Sequence, residues 1–264
     1  MAYEFDHDAR KEAGRYLVSA DLTDQLRKQC EVKSAELGPM GIRGQAIRFS
    51  FDSWNQPPGL PESIPRTGPI SRGQVLDIGQ RVRETRSAAT ELLVASFVWG
   101  WGPKGYGPHR LGKIRAAAGE RLESSLQCAI AAANPESGPP DPVSGYAQLY
   151  GGLDYLDRAA PGAEPWSRSL GFGPAFFTKF LYFSTPGALI LDNRLANAVH
   201  DLSGGMPHLV TKNGRSEPWT PFRYAIYLHW MRQTAATVGV EPDLLELTLF
   251  EPPGDLEREG SAAD

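Results

Sequence analysis

Cysteine is scarce in this chain: Cys30 and Cys128 are the only two. That excludes a disulfide framework and a four-cysteine zinc or iron–sulfur site. No apolar run approaches the ~18 residues that span a bilayer. The first residues, MAYEFDHDARKEAG, carry charges where a secretory leader needs an apolar core. No repeat of fixed period is present, which excludes a solenoid. A large charge of one sign is missing too, and the net −4 argues mildly against a nucleic-acid partner. What remains is a globular chain, 41% hydrophobic over 264 residues. It is long enough to bury a sizeable core as one large domain or two packed halves. We expect a soluble cytoplasmic monomer with no metal and no cofactor.

The net charge hides a gradient. Between residues 72 and 121 there are nine lysines and arginines against four acids, whereas 251–264 holds five acids and only Arg258 in opposition. This is compatible with one positive face, and equally with an ordinary mixed surface.

Periodicity predicts a mostly α chain. Residues 1–38 have helix-like spacing through Tyr16, Leu17, Leu22 and Leu26, up to Gly38-Pro39. A short strand is expected at 46–51, and the proline-rich WNQPPGLPESIPRTGPISRG reads as an extended loop. A buried helix is predicted over 86–99 and another over 114–134, with the glycine-rich WGWGPKGYGPHRLGK between them as a loop. PESGPPDP is a linker, and YAQLYGGLDYLDRA a short helix. A long helix over 220–238 follows the start signal EPWTP. The expected organisation is an N-terminal helical and extended region over 1–80, a main domain over 81–250, and an acidic, disordered tail over 251–264.

Two glycine patterns imitate phosphate-binding motifs. Gly100, Gly102 and Gly105 satisfy G-x-G-x-x-G, but they follow a predicted helix instead of a strand. Gly107, Gly112 and Lys113 begin a P-loop pattern, yet the next residue is Ile114, which has no hydroxyl for magnesium. Neither motif has its context. The same stretch interleaves Trp99, Trp101 and Tyr106 with Lys104, His109 and Arg110, so it offers ring faces for stacking and cations for phosphates. Core plugging competes with that reading, most strongly for Trp99.

LGFGPAFFTKFLYF, residues 170–183, joins a tight turn to a buried helix. Leu170 and Phe172 can anchor the turn while Gly171 and Gly173 present backbone N–H groups. Pro174 suits the first helical position, and the positive end of the helix faces outward. Such a turn can hold a phosphate without reading a base. Phe176, Phe177, Phe180 and Leu181 share the core face, with Thr178, Lys179 and Tyr182 toward the other side. ALILDNRLANAVH then brings an apolar, strand-like approach to Asp192. As the residue before a helix, Asp192 is a good N-cap, and capping alone is the bland reading.

Hairpin, helix and spaced aspartate together resemble the helix-hairpin-helix DNA glycosylases. Within them the chain is most similar to the bacterial 8-oxoguanine-glycosylase-fold family, some members of which are linked to defence against phages with hypermodified bases. The resemblance is strongest over 170–200 and extends over about 85–250. It implies a helical glycosylase fold with a small N-terminal extension and duplex DNA with a modified base as partner. Asp192 is the implied catalytic carboxylate. Bifunctional members carry a lysine two residues after the second glycine. Here that position is Ala175, and Lys179 lies one helical turn further on. The more economical implication is a monofunctional enzyme using water, with Lys179 at a phosphate or the target base; as the second candidate catalytic residue, Lys179 keeps amine chemistry open as the alternative.

In that reading Gly171, Phe172, Gly173, Lys104, Arg110, Lys113 and Arg194 hold DNA. Trp99, Trp101, Tyr106, Phe222 and Trp230 are the candidates for the base pocket or the wedge that fills the gap, with core packing the leading alternative for Phe222 and Trp230. The substrate expected is a hypermodified phage base such as glucosylated hydroxymethylcytosine. An 8-oxoguanine repair enzyme and a non-catalytic DNA-binding module are the alternatives.

Overall fold

The computed structural model describes residues 4–54, 59–86, 88–103, 106–156, 171–211 and 213–252. Lys104, Leu170 and the acidic tail from 253 onward, expected to be disordered, lie outside the described residues. Described are twelve α-helices: α1 (Glu4–Ala13), α2 (Ala20–Leu37), α3 (Phe51–Trp54), α4 (Arg72–Thr85), α5 (Ala89–Trp101), α6 (Tyr106–Ala118), α7 (Arg121–Ala133), α8 (Pro142–Tyr150), α9 (Pro174–Ser184), α10 (Asn193–Leu202), α11 (Pro221–Val238) and α12 (Pro242–Phe250). The only sheet among the described residues is antiparallel, with β1 (Ala46–Ile47) facing β2 (Ile70–Ser71), Ala46 opposite Ser71. The fold is mostly α, as the periodicity predicts.

Several boundaries differ from expectation for local reasons. The strand predicted over 46–51 stops after Ile47, because α3 begins at Phe51. The glycine-rich stretch is largely helical: α5 continues through Gly100 to Trp101 and ends at Gly102, whose φ of +57° turns the chain while its N–H caps Val98. Pro108 is accommodated in the first turn of α6, where no intrahelical donor is required. The single helix expected over 114–134 is two, divided at Gly119 with φ +55°. Helix α4 was not foreseen. Its apolar stripe is thin, and it starts at a capping box in which Ser71 and Gln74 satisfy each other's backbone N–H groups.

Helix α11 is the axis of the core, buried along most of its length and contacted by α1, α2, α8 and α12. Tyr224 stacks on Tyr146 of α8 at 4.5 Å. Residues from Phe5 to Leu249 thus join one hydrophobic cluster. Helix α9 buries Phe177, Phe180 and Leu181 completely, each such side chain contributing about 1.5–3 kcal/mol. Its approach to α4 is close. A Cβ at Gly79 would fall 1.7 Å from the Phe183 carbonyl oxygen, so only glycine allows these helices to meet. That contact fixes α9, and with it Lys179.

Candidate active site

Asp192 ends an extended segment and caps α10. Its Oδ1 accepts from the N–H groups of Arg194 (3.1 Å) and Leu195 (3.2 Å). Its Oδ2 accepts from Lys179 Nζ at 3.2 Å. One oxygen therefore serves the cap, and the other is left to meet Lys179. The side chains are 17% and 9% exposed, respectively. Lys179 reaches this position along Gly100, where a Cβ would come 2.9 Å from Lys179 Cδ. Its ammonium also lies 5.6 Å from the Phe176 ring centroid.

Both residues line a cavity of about 440 Å³, within the ~300–1,000 Å³ usual for ligand sites. Trp99, Trp101 and Arg194 contribute to its wall, as do Gln45, Ile47, Arg72, Glu246, Phe250 and Glu251. The last six were missed from sequence. Arg72 is fully buried between the rings of Trp99 (4.9 Å) and Tyr182 (5.1 Å). It donates to Gln45 Oε1 at 2.9 Å and to the Tyr182 hydroxyl at 2.9 Å. Glu246 accepts from the Ile190 N–H and lies 3.7 Å from Arg72. Burial pushes its carboxyl up to about 8, against the opposing pull of Arg72. Burial likewise raises Asp243. A charged residue in the middle of the apolar run LLELTLF was the one available sequence signal for Glu246.

The turn before α9 has the geometry that its glycines suggest. Gly171 adopts φ +84°, and Gly173 caps α9 with Pro174 at the first position. Phe172 is placed as the anchor that the sequence suggests: its side chain is buried against Phe97 and Phe177, so any part it takes at the DNA falls to its backbone. Arg110 is committed to the turn, donating to the Gly171 carbonyl at 2.6 Å with its guanidinium 5.3 Å over Phe176. Lys113 is exposed on α6. A second cleft of about 400 Å³ runs beside the turn, lined by Gly173, Ala175, Asn193 and Trp219. Ala175 thus opens into this cleft, whereas Lys179 opens into the first cavity.

The expected pocket aromatics separate. Trp99 is buried edge-on to Phe183, and Trp101 stacks on Phe176 at 5.8 Å. Their indole N–H groups have no hydrogen-bond partner among the described residues. Tyr106 is 52% exposed and edge-on to Trp101. Phe222 and Trp230 do not line the cavity. Phe222 packs on Phe5 of α1, and the Trp230 N–H donates to the Tyr16 carbonyl in the chain that follows α1. They are core.

A family model described as "Putative 8-oxoguanine DNA glycosylase OGG-like protein" matches residues 41–250. The chain belongs to this OGG-like family. The match takes in Lys179, Asp192 and every cavity residue named above except Glu251, one position past its end. It also begins well before residue 85, where the resemblance read from the sequence starts. No curated protein and no solved structure matches the chain. As an OGG-like glycosylase it takes DNA as its substrate, and no described helix is long and apolar enough to cross a membrane.

Proposed function

We propose that the chain is a monofunctional DNA glycosylase that extrudes a modified base from duplex DNA and hydrolyses its N-glycosidic bond, leaving an abasic site. The observation that carries this is Asp192 Oδ2 beside Lys179 in a cavity with room for an extruded, substituted base, one helix from a glycine turn. Extrusion costs a few kcal/mol of stacking and pairing. The Gly171–Gly173 turn and the exposed Lys113 and Arg194 grip the backbone. Tyr106, exposed and edge-on to Trp101 of the cavity wall, is the wedge that fills the vacated stack. As the bond lengthens, positive charge grows on the sugar, and the Asp192 carboxylate stabilises it and orients the attacking water. Lys179 holds that carboxylate in place. Water as nucleophile fits Ala175, which leaves no amine at the position used by bifunctional relatives.

The base is a hypermodified one from phage DNA, such as glucosylated hydroxymethylcytosine, so the enzyme acts in defence. Two features support this over 8-oxoguanine: the cavity volume and the polar wall of Gln45 and Glu251. A second reading is favoured by one distance. Lys179 Nζ, 3.2 Å from Asp192, is also placed as an amine nucleophile would be, with a carboxylate to take its proton.

Duplexes carrying each modified base, incubated with the protein and followed by mass spectrometry of released bases, test the assignment. Free modified cytosine is expected. Free 8-oxoguanine would move the substrate, and steep salt-dependent binding with no release would make the chain a non-catalytic DNA-binding module. Borohydride during the reaction should trap no adduct; a covalent protein–DNA product would establish amine chemistry at Lys179.

A further inference from the structure

Residues 188–192 approach Asp192 as an extended chain, but no strand lies beside them among the described residues. Buried backbone polar groups still need partners. Here side chains from three helices supply them. The Tyr224 hydroxyl donates to the Leu189 carbonyl at 2.9 Å, and the Tyr227 hydroxyl to the Ile190 carbonyl at 2.5 Å. The Ile190 N–H donates to the Glu246 carboxyl group. The Thr178 hydroxyl accepts from the Leu191 N–H at 3.0 Å.

Ile190 is therefore gripped on both of its polar groups, two residues before Asp192. Glu246 is itself held at its other oxygen by Arg72 at 3.7 Å, and Arg72 is clamped between Trp99 and Tyr182. We propose that Glu246 is a positioning residue for Asp192: it fixes Ile190, and so sets whether the Asp192 carboxylate meets Lys179 and the reacting sugar. Thr178 and Lys179 are neighbours on α9, so the two contacts to the approach, Thr178 with Leu191 and Lys179 with Asp192, share one rigid support. Glu246 braces the opposite side from α12. The consequence for rate rests on the glycosylase reading; the consequence for geometry does not.

The test compares Glu246→Leu, Glu246→Gln and Tyr227→Phe by crystallography and by single-turnover excision with saturating enzyme. Glu246→Leu removes the acceptor for Ile190. Its Lys179–Asp192 contact should open beyond hydrogen-bond distance, and its excision rate should fall about 100-fold, the scale of a misplacement near 1 Å. Glu246→Gln keeps an acceptor oxygen and should recover most of that rate. Tyr227→Phe, which alters no cavity residue, should slow excision in the same direction by less. A 3.2 Å contact persisting in Glu246→Leu overturns the proposal. So does a silent Tyr227→Phe together with a Glu246→Gln as slow as the leucine variant, because Glu246 would then act on substrate directly. If the contact opens but the wild-type protein releases no base, the glycosylase reading fails and the positioning role stands. Should the leucine variant not fold, the other two carry the same comparison.

Discussion

Replacing Gly100 by alanine separates stability from function at the proposed site. Gly100 lies in the last turn of α5 with an ordinary helical backbone, so alanine there gains up to about 1 kcal/mol of helix propensity. The added Cβ would stand 2.9 Å from Lys179 Cδ and 3.3 Å from Cε, where ordinary contact begins at 3.4 Å. The obstructing atoms belong to the far part of a flexible side chain, so the clash is relieved by moving Lys179 by about 0.5 Å, without disturbing the fold. From 3.2 Å, that displacement takes Nζ to the edge of hydrogen-bonding range of Asp192. A shift of roughly half an ångström in the proposed catalytic pair should cost about tenfold in rate, half on a logarithmic scale of what a full ångström costs. Thermal melting should show an unchanged Tm or a rise of no more than roughly 2–4 °C. Single-turnover excision should show the tenfold loss. A Tm lowered by several degrees would mean that the groove around Lys179 is rigid, and an unchanged rate would mean that the Lys179–Asp192 contact is irrelevant to chemistry. Either result refutes the reasoning.

Gly79→Ala should behave in the opposite way. Its Cβ would meet a backbone oxygen, Phe183 O, at 1.7 Å, so α4 and α9 must separate at a cost of about 3 kcal/mol or more; differential scanning calorimetry should show Tm falling by roughly 6–12 °C. Glu246 makes stability pH-dependent. Its native carboxyl titrates at about 8 against an ordinary 4.5, under the influence of burial, Arg72, Asp243 and Asp192. The native state keeps a proton that the unfolded chain releases, so stability should fall between about pH 4.5 and pH 8, by at most about 1.4 kcal/mol per unit. Urea unfolding across that range should show this slope in the wild type and lose it in Glu246→Gln; equal slopes would contradict the assignment. Lys113→Ala and Arg194→Ala should each weaken duplex binding and reduce the slope of log affinity against log salt by about 1, measured by fluorescence anisotropy.

What was legible in the sequence was local. The glycine pair, Pro174 and the Asp192 cap announce themselves within a few residues, because turn and cap chemistry depend on near neighbours. The other half of the cavity was not legible. Gln45, Arg72 and Glu246 meet only through tertiary packing, and Arg72 lies at the start of a helix whose apolar pattern is too thin to read. The approach 188–192 reads as a strand because its residues are apolar, yet its hydrogen bonds go to tyrosine, threonine and glutamate side chains instead of another strand. Phe222 and Trp230 were pocket candidates because α11 carries several aromatics, and nothing local says that Phe5 and the Tyr16 carbonyl take them up.

The Asp192→Asn variant tests the central claim most directly, because asparagine is an equally good N-cap and leaves α10 intact while removing the charge. Abasic-site formation on a duplex from which the wild-type protein releases the base should drop by about 10²–10⁴-fold, with melting temperature and DNA affinity unchanged. Wild-type rates in that variant would contradict the account.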